Sequence, residues 1–190
     1  MFDWRYWLVA AIWIAWEAYW IISARGTKRT TSSEPFISRL PVVVGLALSI
    51  FLLFASPWLG GFLGRDLPLR GDLAYFPGLL IALCGCGFAF WARHTLGRNW
   101  SGRVTIKEGH ELVMRGPYRF VRHPIYTGGI LIVAGSALAL GKAGGLISAA
   151  VMLAIFLHKI RLEERVLSQH FGDRYADYRR TAKALIPLVW

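Results

Sequence analysis

Apolar runs long enough to cross a bilayer, separated by clusters of Lys and Arg, constrain this chain more than any other feature. Trp4 to Ser23 is the first run and Leu40 to Phe54, extending towards Leu63, the second. The third goes from about Leu73 or Tyr75 to Trp91. About 20 apolar residues cross the hydrocarbon core, and inside lipid a helix pairs its own backbone groups. Tyr126 to Leu140 and Gly144 to Leu157 are shorter, joined by Gly141-Lys-Ala-Gly-Gly145. That pattern predicts a tight helical hairpin, tilted or shielded by protein. With 55% hydrophobic residues and a mean hydropathy of +0.44, an ordinary soluble domain is excluded. The expected fold class is an all-α integral membrane protein with five transmembrane helices.

A net charge of +11 first suggests nucleic acid, but the cations sit between apolar runs rather than along one face. The segments after runs one to four carry four, two, seven and one Lys or Arg, and the tail from Lys159 carries seven. Positive charge marks cytoplasmic loops. The alternation therefore predicts the N-terminus outside, with the 25–39 loop, the 93–125 segment and the tail in the cytoplasm. Five spans satisfy it and four or six do not. Asp3 and Arg5 give no basic lead, and the first run contains five tryptophans and Glu17, so it reads as a permanent span rather than a cleaved signal. Residues 1–72 form two N-terminal helices with their loops, and 73–190 a core of third helix, loop 93–125, hairpin 126–158 and amphipathic tail 159–190.

His110 to Tyr126 holds two histidines, three arginines, a glutamate and two tyrosines within seventeen residues. Gly116-Pro117 and His123-Pro124 break any smooth helix there, since proline lacks an N–H and pushes the preceding residue towards extended geometry. Polar groups in such company beside a bilayer are costly unless they act; the bland alternative is a basic loop lying on anionic headgroups. In the tail, Leu167, Phe171, Tyr175, Tyr178 and Ala182 recur every three or four residues, one helical face. Gly172 is placed to close one helix and Asp173 to cap the next. Lys159 and Glu163, four apart, share a face, functional or simply an ion pair at the end of a span. Glu17 is either a functional intramembrane carboxylate or one that reaches water at the basic end of its helix. Cys84 and Cys86 form a lone C-x-C without the further ligands of a structural zinc, and serve as small packing residues instead.

Several sites are missing. Gly85-Cys-Gly87 lacks the third glycine of a dinucleotide fingerprint, there is no phosphate-binding Gly-rich loop, and His94, His110, His123, His158 and His170 form no metal-ligand spacing. His170 reads as structural. A polar cytoplasmic mouth on a membrane bundle remains, suited to one polar ligand and one lipidic one.

Ala92-Arg-His-Thr-Leu-Gly-Arg-Asn-Trp-Ser101, His110-Glu-Leu-Val113, Gly116-Pro-Tyr-Arg119, Arg122-His-Pro-Ile-Tyr-Thr-Gly128 and Glu163-Glu164 with Phe171-Gly-Asp-Arg-Tyr175 and Tyr178 follow one another in that order. Together, from about Phe90 to Pro187, they resemble the isoprenylcysteine carboxyl methyltransferase family. Membrane phospholipid N-methyltransferases share part of the pattern, and membrane sterol reductases carry text similar to R-H-P-x-Y-x-G alone. The resemblance implies a helical membrane enzyme that uses S-adenosylmethionine, releases S-adenosylhomocysteine, and takes a lipid or prenylated acceptor sideways from the bilayer. It implies that His110, Glu111, Leu112 and Val113 line the cofactor, with Tyr118, His123, Pro124, Ile125 and Tyr126 as the opposite wall and Glu163 at its polar end. Lys159, Glu163 and His123 are the expected catalytic group, with no metal. The family usually has Arg where this chain has Lys159, and Lys cannot make Arg's planar two-point grip on a carboxylate. Carboxyl methylation of an isoprenylcysteine-like substrate leads, a phospholipid amine is possible, and an amine would first have to lose a proton, to Glu163, Glu164 or His123. Alternatives from other classes are an NADPH-dependent sterol-type reductase and a lipid-binding scaffold. The acceptor and the oligomeric state stay open; Gly128, Gly129 and Gly135 could pack helices within one chain or between two.

Overall fold

The structure, a computed structural model, describes residues 4–25, 30–33, 36–102 and 105–186. Six helices follow in order: α1 (Trp4–Ser23), α2 (Phe36–Ala55), α3 (Asp72–Leu96), α4 (Pro124–Leu140), α5 (Ala143–Phe171) and α6 (Asp173–Thr181). By length and composition α1, α3 and α5 can each cross a membrane. The apolar part of α2, Leu40–Ala55, and α4 are shorter. α2 stops at Ala55, short of Leu63, because Ser56-Pro57 follows and proline cannot extend it. One feature was not expected. The two polar segments that flank the first half of the bundle pair with each other as short antiparallel strands, β1 (Thr30–Ser33) and β2 (Thr105–Lys107).

The hairpin predicted around Gly141 is present. Gly141 takes φ +62°, a left-handed position that glycine occupies without strain, and its N–H closes α4 onto Ala137. The link before α3 docks on this turn: Leu67 N–H donates to Gly141 at 2.8 Å, Ala143 N–H to Arg65 at 2.9 Å, and Lys142 Nζ reaches Asp66 at 2.7 Å.

Glycines decide how the bundle packs. α3 and α4 meet at two reciprocal pairs, Gly78 with Gly135 and Gly85 with Gly128. A Cβ on Gly135 would lie 2.5 Å from the Gly78 carbonyl, and one on Gly128 2.6 Å from that of Gly85. Without a hydrophobic drive between helices in lipid, close backbone approach and interhelical hydrogen bonds hold them. Gly128 and Gly135 are thus used within the chain, and Gly129 fits under the Phe156 ring of α5. Of the two cysteines, Cys86 joins the core and Cys84 is exposed; Gly85 between them makes the close contact. Polar side chains inside the bundle pair across helices: Ser49 with Ser148 at 2.9 Å, and Trp13 Nε1 onto Ser136 at 3.0 Å. Large apolar side chains such as Ile14 and Leu80 face outward, as a lipid-facing surface requires.

α5 runs on for about four turns beyond the apolar stretch, carrying Lys159, Glu163 and Glu164 out to Phe171. Gly172, at φ +54°, then turns the chain into α6. Gly172 occupies the capping position of α6, and Asp173 lies in its first turn with no side-chain cap bond. The stripe read from the tail is buried: Tyr175, Tyr178 and Ala182 pack together with Leu167, Phe171 and, from the preceding segment, Leu112.

Candidate functional site

The chain reverses twice between α3 and α4. Gly116-Pro117 starts a single tight turn through Arg119, and His123-Pro124 starts α4, with Pro124 in the first turn where its missing N–H costs nothing. These two breaks leave His123 just before α4, its side chain 4% exposed. Across from it, α5 presents Glu163 and Glu164 side by side.

The two carboxylates take the two ring nitrogens. His123 Nδ1 lies 3.5 Å from Glu163 Oε2, and Nε2 3.2 Å from Glu164 Oε1. The Tyr126 hydroxyl donates to Glu163 Oε1, and the Tyr126 ring stacks on the imidazole, centroids 5.7 Å apart. Arg122 grips Glu164 with Nε at 2.8 Å and Nη2 at 2.6 Å. Burial alone would pull His123 below the ordinary imidazole range; hydrogen bonds to Glu163 and Glu164, with their charges, overcome it and raise it. Burial pushes the Tyr118 hydroxyl up, and the charge of Glu163 adds to it. Neither tyrosine nor carboxylate is free to wander.

The end of the described chain locks this arrangement. Arg122 N–H donates to Lys183 at 2.7 Å, His123 N–H to Ala184 at 3.1 Å, and Thr127 Oγ1 to Leu185 at 2.8 Å. Arg122 Nη1 also donates to the Ala182 carbonyl, and the Tyr178 hydroxyl to that of Tyr118 at 2.5 Å.

Above this cluster lies a cavity of about 610 Å³, within the usual range for small-molecule sites. Of the residues singled out in the sequence, His110, Tyr118, His123, Pro124, Ile125, Tyr126, Lys159 and Glu163 line it. Glu111, Leu112 and Val113 do not: Leu112 turns away into the Tyr175–Tyr178 cluster. Glu164 is outside as well, engaged by Arg122 and His123. Lys159 Nζ donates to the Gly102 carbonyl at 3.1 Å and stands 5.4 Å from the Tyr126 ring centre. His170, read as structural, lies at the rim with Phe171 beside His110, the two imidazole centres 6.4 Å apart.

The cavity has two characters. Its polar end holds His123, Glu163, Lys159, Asn99 and Ser101; its apolar end lies between helices, walled by Trp13, Trp16, Val43, Leu46, Ile132, Met152 and Phe156. Trp20 and Trp100, stacked at 5.2 Å, also line it. Sequence reading missed Trp13, Trp16, Trp20 and the α2 residues, which carry no motif. Asn99 and Ser101 did lie inside a quoted motif. Glu17 also borders the cavity, which the sequence could not decide.

The donor set fits a cationic, many-membered polar ligand such as S-adenosylmethionine. A carboxylate and aromatic faces suit a sulfonium. Two buried polar atoms of wall residues, Trp20 Nε1 and Thr105 Oγ1, have no hydrogen-bond partner among the described residues, the mark of a site whose partner is a ligand or water.

Residues 78–169 match the model of the isoprenylcysteine carboxyl methyltransferase family. That stretch, just under half of the chain, carries the family's pattern. Similar proteins include protein-S-isoprenylcysteine O-methyltransferase B of Arabidopsis thaliana, 33% identical over 98 residues, which are 50% of this chain and 50% of that one. Methanethiol S-methyltransferase 1 of Bradyrhizobium diazoefficiens is 47% identical over 70 residues, 37% of this chain and 24% of that one. The chain spans half or less of the length of these curated relatives. In fold it is similar to the solved eukaryotic intramembrane Ras methyltransferase, isoprenylcysteine carboxyl methyltransferase, with a TM-score of 0.55 and 22% identity over 82% of this chain and 54% of that one. The family match covers α4, the last three quarters of α3 and nearly all of α5; α1 and α2 lie outside it.

Proposed function

We propose that this chain is an integral-membrane methyltransferase that uses S-adenosylmethionine and methylates an amphiphilic acceptor, foremost the carboxylate of an isoprenylcysteine-like substrate. The single observation that carries the reading is one continuous cavity joining the His123–Glu163–Lys159 end to an apolar end between helices. Relatives named as protein-S-isoprenylcysteine O-methyltransferases support it. In this reading five helices cross the bilayer, the N-terminus is outside, and the cofactor site and tail face the cytoplasm. Residues 73–190 form the methyltransferase core and 1–72 complete the acceptor's apolar wall.

When bound, S-adenosylmethionine supplies a methyl group on a positive sulfur. The chain's own residues then have to position and shield. Glu163, fixed by Tyr126 and His123, holds the positive end of the donor. His110, Tyr118, Pro124 and Ile125 form its walls, and Lys159 steers an anionic acceptor into line. A carboxylate needs no base, so alignment and exclusion of water account for the rate, an effect that reaches ~7–11 kcal/mol for well-oriented reactants. A thiolate acceptor is the second reading. It is favoured by the methanethiol S-methyltransferase relatives and by Lys159, a point charge that serves a thiolate as readily as a carboxylate.

Calorimetry on detergent-purified protein tests the reading. S-adenosylhomocysteine should bind saturably, and both Glu163→Ala and Glu163→Gln should weaken it at least about ten-fold, the scale of a hydrogen bond to a charged group. NADPH binding in its place would establish the reductase. Neither ligand binding to folded protein would leave a lipid scaffold.

A further inference from the structure

A second cleft, of about 260 Å³, opens where α1 and α3 end, on the far side of Trp100 from the main cavity. Its walls carry Arg25, Arg93, His94 and Arg98, with Tyr19 and Ser23 supplying hydroxyls, and no carboxylate among the described residues lines it. Arg93 is only 6% exposed. Its Nη1 donates to Gly97 at 2.8 Å, its Nη2 donates to the Ser23 carbonyl, and its guanidinium lies over the Trp100 ring at 4.5 Å. Its Nε, also buried, has no partner among the described residues. Among the described residues, no ion pair includes Arg25, Arg93 or Arg98.

Burying a cation without a counter-charge is costly, and two further arginines at the same cleft, Arg25 and Arg98, raise the cost. An anion in the cleft removes both penalties. The surroundings say which kind. Ile21 and Ile22, one turn from Arg25, are 64% and 62% exposed, and Trp91, one turn from His94, is 48% exposed. An anion seated here therefore has apolar, outward-facing helix surface directly beside it, at the level where two membrane-length helices end.

We propose that this cleft binds the phosphodiester headgroup of an anionic phospholipid, whose acyl chains run down the outer faces of α1 and α3. The bound phosphate neutralises Arg93 and so braces Trp100, which with Trp20 forms a wall of the main cavity. The lipid is thereby a structural partner of the site, distinct from its acceptor.

The test uses the full chain in vesicles of phosphatidylcholine with phosphatidylglycerol, with native mass spectrometry counting the lipids retained after release into mild detergent. The wild type should retain phosphatidylglycerol selectively. Arg25→Gln with Arg98→Gln, both exposed positions, should lower that retention by ten-fold or more, since each basic side chain near an anionic headgroup contributes roughly five-fold. Arg25→Lys with Arg98→Lys should keep most of it. A control pair on α6, Arg174→Gln with Arg180→Gln, should change it by less than about two-fold. Equal loss in the cleft and control pairs would mean diffuse surface charge and overturn the site, as would no loss in either. Release of phosphatidylglycerol by millimolar inorganic phosphate would overturn the lipid assignment in favour of a soluble anion.

Discussion

His123 reaches Glu163 with one ring nitrogen and Glu164 with the other, and both contacts are full ion pairs only when the ring is protonated. The fold therefore raises its pKa, and the sign of the consequence is fixed. Its stabilisation is complete below the unfolded imidazole value of about 6.5 and is lost as pH rises through the higher folded value. Thermal unfolding in detergent should lose stability over that window, and His123→Gln should flatten the curve there; a variant curve parallel to the wild type would contradict the assignment. Lys159 permits a sharper question. Among the described residues it forms no ion pair; it donates to the Gly102 carbonyl beside the Tyr126 ring, with the charge of Glu163 one turn away. If it steers a carboxylate acceptor, Lys159→Arg adds a second charged hydrogen bond. KM for an S-prenylcysteine substrate should then fall about ten-fold with kcat little changed, while a thiol acceptor shows no such gain. An unchanged KM for both would remove Lys159 from the acceptor's path.

At the scale of elements, the seam between α3 and α4 is built from backbone, so even a methyl group has nowhere to go. Gly135→Ala would set its Cβ 2.5 Å from both the Gly78 carbonyl and the Ala82 nitrogen, atoms that cannot rotate away. It should destabilise by about 1–3 kcal/mol. Gly87→Ala, on the same α3 with nothing within 4 Å, should be neutral or gain up to about 1 kcal/mol from helix propensity. Unfolding midpoints of the two variants, moving in opposite directions, check the seam. This seam also explains what the sequence disclosed. The helices, the hairpin turn at Gly141 and the buried tail stripe were legible because each rests on a local period or a residue with unusual backbone freedom. His123 and Glu163 were expected around one ligand only through the family resemblance, and their direct contact, with Glu164 on the other ring nitrogen, was not legible. The β1–β2 pairing was not legible either, since short polar strands have no apolar alternation to betray them. Nor was the direction of Leu112, which shares a motif with His110 yet packs on Tyr175 and Tyr178; a one-residue difference in facing leaves no trace in composition. Trp13, Trp16 and Val43 read only as lipid-spanning residues, because which side of a uniformly apolar helix faces a cavity depends on its neighbours.

For the molecule as a whole, the cavity is shared property: α1, α2, α4 and α5 all contribute walls. A ligand that fills it touches all four helices at once. S-adenosylhomocysteine at 100 times its Kd should stabilise the whole bundle by about 2.7 kcal/mol. That is readable as an upward shift of a single unfolding transition, and at the same ligand concentration the shift should fall to about half or less in Glu163→Gln, as its weaker binding requires; two separate transitions would mean that the N-terminal pair of helices is not part of the site. The same geometry sets an order of events during synthesis. Arg122 and His123 take their backbone partners from Lys183 and Ala184, some sixty residues later in the chain. A nascent polypeptide can thread every one of its apolar helices into lipid while its histidine still lacks the strand that fixes it. The protein thus becomes a membrane protein before it becomes a binding site, and while its last described residues are still inside the ribosome it has no finished pocket with which to capture a ligand.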